Sequence, residues 1–210
     1  MSRTVDYYFA PQSPWTYLGH ARFAALAART GATVRIRPVD LGTVFPISGG
    51  LPLAKRAPQR QAYRLVELAR YSRYLDVPLH PKPKFFPVPA DDAAQLIIAA
   101  DLHDGTPAAM RLAGAVFAAV WAQERNIADA AVLATLLAEC GLPAARLDHS
   151  QSQKVCERYE EYTQEAIDIG VFGAPSYVID GEIFWGQDRL DFVDRALQSP
   201  ARPAPAQQGA

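Results

Sequence analysis

Two short stretches with strand character flank a longer one with helical periodicity near the start of the chain. Residues 5–9, VDYYF, carry the aromatic and β-branched side chains of a strand, and residues 34–39, VRIRPV, alternate apolar with basic positions. Between them SPWTYLGHARFAALAARTG sets Leu18, Ala21, Ala25 and Ala28 at helical spacings and stops near Gly31. Together they predict a βαβ unit. Such a crossover lays two strands parallel and brings the start of the helix to the carboxyl edge of the sheet, where α/β folds usually hold ligands.

From about residue 45 the pattern changes. PISGGLP reads as a turn-rich connection, and RQAYRLVELARYSRYL then places Leu65, Leu68, Tyr71 and Leu75 on one helical face. PLHPKPKFFPVPA at 78–90 predicts an extended loop stiffened by its prolines. Four further stretches, beginning at DDAAQLIIAADL and ending at SQKVCERYEEYTQEAIDIG, have helical periodicity, which makes about five helices in the central half. The period then returns to that of strands: SYVID and EIFWG flank Asp180-Gly181, a pair suited to a tight hairpin because both positions tolerate positive φ. A short helix, DRLDFVDRAL, follows, and residues 199–210 read as a disordered tail.

Composition narrows the function classes. The 210 residues, 50% hydrophobic, suffice for a sizeable core, and 21 Lys plus Arg against 22 Asp plus Glu leave a net charge of −1. That balance provides no general attraction to nucleic acid or anionic membrane. No signal-like basic and apolar start and no run of roughly 20 apolar residues is present, so a cytoplasmic location is expected. Cys140 and Cys156 form no CxxC pair and are expected to be free thiols. His20, His80, His103 and His149 show no ligand spacing, and no metal is expected.

Two local features bear on chemistry. In FAPQSPWTYL, Ser13 precedes a proline at a helix start, where serine serves as an N-cap; the same helix end, with free N–H groups and positive dipole, also favours anions and thiolates. In FGAPSYVID, Pro175 directly precedes a strand, either as a cis-proline, which in a thioredoxin-like fold would face the start of the first helix, or as a trans proline opening an edge strand.

The order βαβ, helices, β-hairpin, helix predicts an α/β fold: a thioredoxin-like domain with an inserted all-helical domain. The expected boundaries are 1–44 and 166–198 for the discontinuous thioredoxin-like part and 45–165 for the insertion. With YYFAPQSPWTYL, PVDLGTVF and VFGAPSYVIDGEIFWGQDRL, the chain resembles the 2-hydroxychromene-2-carboxylate isomerases, relatives of kappa-class glutathione transferases and of disulfide oxidoreductases.

The resemblance implies that Ser13 stands where the oxidoreductases carry the first cysteine of CxxC, within Ser13-Pro14-Trp15-Thr16. A hydroxyl cannot take part in thiol–disulfide exchange. It implies instead glutathione as cofactor and Ser13 as the catalytic group that donates to its sulfur. Lowering a thiol pKa of ~8.5 by one or two units, roughly 1.4 to 2.7 kcal/mol, makes thiolate a major species. Ala174, beside Pro175, is expected to pair with the cysteinyl backbone of glutathione. Gly186, Gln187 and Asp188 are expected around its γ-glutamyl end, with Asp188 either meeting the ammonium or capping the last helix. A substrate pocket is expected at Phe45, Phe85, Phe86 and Trp185, for an aromatic acid or another electrophile, with Lys55, Arg56, Lys82 and Lys84 as possible carboxylate partners or simply solvated surface. The family commonly has a lysine after the VF pair and asparagines further on; this chain has Pro46, Gly49-Gly50 and Pro89 there. The implied activity is isomerisation of an aromatic-catabolism intermediate by reversible thiolate addition. Its alternatives are irreversible transfer and ligand binding without turnover. A homodimer is also implied.

Overall fold

The structure, a computed structural model, describes residues 3–199; apart from Ser199 the expected tail lies outside the described residues. β1 (Thr4–Phe9), α1 (Pro14–Thr30) and β2 (Thr33–Pro38) form the βαβ unit, with β1 and β2 parallel. β3 (Ser176–Ile179) and β4 (Glu182–Trp185) form the hairpin, turning at Asp180 (φ 49°) and Gly181 (φ 80°). β3 runs antiparallel to β1, so the sheet order is β2-β1-β3-β4. Inserted between β2 and β3 are α2 (Leu41–Ser48), α3 (Pro58–Leu75), α4 (Asp91–Asp104), α5 (Thr106–Trp121), α6 (Ala130–Glu139), α7 (Arg146–Ser150) and α8 (Gln153–Asp168); α9 (Leu190–Gln198) follows the hairpin. This is a thioredoxin-like α/β fold with a helical insertion. No helix among the described residues is long and apolar enough to cross a membrane.

Three sequence expectations need correction. The stretch from residue 45 is helical as far as Ser48, because the Asp40 carboxylate accepts from Gly42 N at 2.7 Å and Thr43 N at 3.2 Å and starts α2 upstream of Pro46. The short α7, whose Arg146 is paired with Asp104 from α4, was not expected at all. On α1 the face is also different: Ala21, Ala25 and Ala28 are exposed, and Leu18, Phe23, Leu26 and Ala27 are buried. Alanines bring little apolar area to a face, so the larger side chains decide which way the helix turns.

Alternation along β1 divides the core between the two sheet faces. Val5, Tyr7 and Phe9 pack in one cluster with residues of α1, α5 and α9, while Tyr8 packs in a second with residues of α4 and α8. Phe9 meets Phe117 of α5 edge-on at 5.4 Å, so apolar packing is continuous from the sheet into the inserted helices. The expected junctions 44/45 and 165/166 fall inside α2 and α8.

A buried polar chain ties three elements together. Tyr7 Oη lies 3.2 Å from His20 Nδ1, and His20 Nε2 lies 2.9 Å from the Met110 carbonyl. The carbonyl can only accept, so Nε2 carries the proton and Nδ1 accepts from the tyrosine. Burial depresses the His20 pKa to about 4, against a small opposing effect of the Met110 bond. Between pH 4 and 6.5 the unfolded chain therefore binds this proton and the folded one does not. Stability is full above about pH 6.5 and falls by about 3 kcal/mol as pH drops toward 4. Chemical denaturation at pH 7 and pH 4 checks this, with a smaller difference expected for His20→Gln.

The partner ring, Tyr177, is stacked on Tyr7 and has its hydroxyl buried without a hydrogen-bond partner. Tyr177→Phe is expected to raise the unfolding free energy by about 1 kcal/mol, whereas Tyr7→Phe, which strands His20 Nδ1, lowers it by about 1–2 kcal/mol.

Candidate active site

Ser13 sits at the junction of β1 and α1 with an extended backbone (φ −78°, ψ 120°), and Pro14 opens the helix. Its Oγ accepts from Thr16 N at 3.2 Å, so the cap is real. The same Oγ donates to the Ala174 carbonyl at 3.3 Å, so the hydroxyl also faces the segment before β3. The first turn of α1 contains no acidic residue, which leaves its positive dipole end unneutralised from within the helix. Only 9% of Ser13 is exposed, so a group replacing the Ala174 carbonyl as its acceptor would be held in a largely dry place.

Ala174-Pro175 is a cis peptide bond, which resolves the Pro175 alternative. Phe86-Pro87 is cis as well, which the sequence did not single out. Ala174 is buried, and its N–H donates to no described group. It is a spare donor beside the Ser13 hydroxyl, as an incoming extended backbone would require. Trp185, half-exposed, stacks across Gly173, where a Cβ would come within 2.6 Å of the indole nitrogen, and meets Phe172 at 4.7 Å.

After β4, Gly186 (φ 112°) donates its N–H to the Pro175 carbonyl at 2.9 Å, tying the two loops at the site. Gln187 is buried, and its Oε1 accepts from Arg22 at 3.0 Å; this side chain holds the loop against α1 rather than facing outward. Gly19 is required beneath it, since a Cβ there would approach Gln187 Cβ at 2.7 Å. Asp188 is exposed and caps neither the 3-10 turn at Gln187–Arg189 nor α9. Its carboxylate lies 3.3 Å from Arg189 and is close enough to Tyr71 to help raise that phenol's pKa, after the effect of burial. Gly186 is thus bonded to Pro175, and of the three residues Asp188 alone presents an exposed charged side chain, shared with Arg189.

The expected pocket aromatics divide. Phe86 packs on Trp121 at 4.8 Å, and Phe45 lies under Arg56, with Gly50 pressed on its ring. Phe85 is covered by Lys84, and Trp185 belongs to the Ala174 side. The proline-rich loop is fastened to the start of α1, because Val88 N donates to Gln12 Oε1 at 3.2 Å and Tyr17 Oη donates to the Pro78 carbonyl at 2.7 Å. Trp15 meets Tyr71 of α3 edge-on at 6.0 Å. Arg64, half-buried over Phe86 and Trp121, was missed in the sequence. Its signal was position: it lies four residues before Leu68 and seven before Tyr71, on the inward stripe of α3.

Cys140 and Cys156 are free, and no group of three metal-ligating side chains occurs among the described residues. With serine at the helix start, the site lacks the paired thiols of an oxidoreductase although it keeps their fold.

Residues 4–198 match the DSBA-like thioredoxin domain, and the chain belongs to that family. Within it the chain is 30% identical to a 2-hydroxychromene-2-carboxylate isomerase of Sphingobium xenophagum, over 94% of this chain and 99% of that one. It is 27% identical to glutathione S-transferase kappa 1 of Caenorhabditis elegans, over 96% and 93%. A solved 2-hydroxychromene-2-carboxylate isomerase superposes with a TM-score of 0.79 at 28% identity, covering 92% of this chain and 94% of the other.

The cap and the site can be separated by stability. Ser13→Ala is expected to lower the unfolding free energy by about 1 kcal/mol, the ordinary cost of a lost N-cap, as measured by urea denaturation.

Proposed function

We propose that the protein is a glutathione-dependent isomerase of the 2-hydroxychromene-2-carboxylate type. The observation that carries this reading is the pairing of Ser13 Oγ with the Ala174 carbonyl beside an unpaired Ala174 N–H, at an α1 end without acids. The similarity to the isomerases over nearly the whole chain supports the reaction class.

The groups present fit glutathione: a hydroxyl to donate to a sulfur, a backbone N–H to donate to a peptide carbonyl and an exposed carboxylate, Asp188, to accept from an ammonium. When bound, glutathione supplies the thiolate that adds reversibly to a conjugated carbonyl compound, making the former double bond free to rotate. Ser13 turns its hydroxyl from Ala174 to the thiolate and, with the helix dipole, holds sulfur in its charged form. Ala174 and Pro175 align the tripeptide backbone, and Gly186, Gln187 and Asp188 border its γ-glutamyl end. Phe45, Phe85, Phe86 and Trp185 supply apolar walls for the second substrate, which binds between the thioredoxin-like part (1–44 and 166–198) and the helical insertion (45–165). The same reading takes the protein as a cytoplasmic homodimer.

A kappa-like transferase is the second reading, favoured by the similarity to the nematode enzyme. Product mass separates the two, since transfer leaves glutathione attached and isomerisation returns it. Binding of glutathione with no turnover of either kind would favour a non-catalytic role.

Calorimetric titration with reduced glutathione and its S-methyl derivative tests the site. Saturable binding is expected, weakened about tenfold in Ser13→Ala or when the thiol is blocked, the size of one charge-assisted hydrogen bond. Absence of binding at millimolar ligand would remove the mechanism and leave Ser13 as a helix cap. The thiolate absorbance of the bound ligand is expected to fall in Ser13→Ala.

A further inference from the structure

α3 turns Leu68, Tyr71 and Leu75 toward the core, and Arg64 lies on that same stripe. Its guanidinium carbon is 5.3 Å from the centre of the Phe86 ring and 5.6 Å from that of Trp121. Among the described residues the other half-buried arginines each meet a carboxylate or a carbonyl: Arg3, Arg37, Arg56, Arg125, Arg146 and Arg158. Arg64 makes no hydrogen bond or ion pair with any of the described residues.

A second cation makes the deficit larger. Arg56 gives its Nε to the Leu51 carbonyl at 2.8 Å and lies 6.0 Å over the Phe45 ring. Burial, and then the like charge of Arg56, press the Arg64 pKa down to about 10, so it keeps its charge at neutral pH without a counter-ion. The indole N–H of Trp121, in the ring beneath Arg64, is also buried without an acceptor. Ring faces offset part of the cost of such a cation, but an anion with two oxygens offsets far more.

The place is connected to Ser13 from two sides. Phe86 is two residues from Val88, which is bonded to Gln12, the neighbour of Ser13. Tyr71, two turns along α3 from Arg64, meets Trp15 in the first turn of α1. We propose that Arg64, reinforced by Arg56, is the specificity-determining anchor for the second substrate. It receives the carboxylate of a flat conjugated acid whose body lies on Phe86 and Phe45. A guanidinium fork matches a carboxylate bidentately, which a lysine cannot do. This assignment rests on the isomerase reading for its place in a reaction, but the binding it predicts can be measured without glutathione.

The test uses 1-naphthoate and neutral 1-naphthalenemethanol as probes, titrated calorimetrically into wild type, Arg64→Met and Arg64→Lys, with glutathione titrated into each separately. The expected result is naphthoate binding weakened at least about tenfold in Arg64→Met and about threefold in Arg64→Lys, the scale of a lost or loosened charge-assisted pair. Binding of the alcohol and of glutathione is expected to stay the same in all three proteins. Equal naphthoate binding in wild type and Arg64→Met, or none in wild type, would overturn the proposal. So would a parallel loss of glutathione binding in Arg64→Met, which would place Arg64 in the tripeptide site or in the fold. If wild type binds naphthoate through Arg64 but takes no glutathione, the anchor stands and the glutathione reading fails.

Discussion

The stack of Tyr7 on Tyr177, with ring centres 5.4 Å apart and planes within 2°, is the interaction on which the rest of the site depends. These residues are opposite each other across β1 and β3, and their neighbours in register are Asp6 with Val178 and Tyr8 with Ser176. A slip of one residue would exchange the two faces of β3 and break up both apolar clusters. Held in this register, the residues just before β3 reach the residues just after β1. Ala174 therefore meets Ser13, although 161 positions separate them along the chain. His20 and Gly19 complete the arrangement from α1, the first by bonding Tyr7 and the second by leaving room for the Tyr177 ring and for Gln187.

Around that junction polar groups are used in two ways. Where the surroundings are fully apolar, charge is avoided: His20 is neutral, and the Tyr7 and Tyr177 phenols are pushed far toward their neutral forms by burial. Where the site opens, some donors are left without acceptors. The first turn of α1 carries no acidic residue, and among the described residues the Ala174 N–H has no acceptor and the two arginines near Phe45 and Phe86 meet no carboxylate. This local excess of unpaired cationic and N–H groups is present even though the net charge of the whole chain is only −1.

Local chemistry explains which parts of this were legible. Asp180-Gly181 turns the hairpin because those residues accept positive φ regardless of their surroundings, and β1 and β2 were legible because aromatic and β-branched side chains suit a strand and the alternation of β2 follows its pleat. The buried face of α1 was misread because several alanines fit a helical stripe equally well, and only packing against β1 and α5 selects Phe23 and Leu26. α2 was hidden by Pro46, which lies inside the helix that Asp40 caps.

By itself the sequence determined the order of elements, the serine at the start of α1 and the proline before β3, since each depends on neighbouring residues. Only the tertiary structure decided that Ala174-Pro175 is cis, that Gln187 is buried on Arg22 while Asp188 stays exposed, and that Arg64 lies on aromatic rings without a counter-ion among the described residues. The reason is physical. Backbone preferences and turn chemistry act over a few residues, whereas desolvation and the presence or absence of a partner are set by whatever the fold brings in from distant parts of the chain.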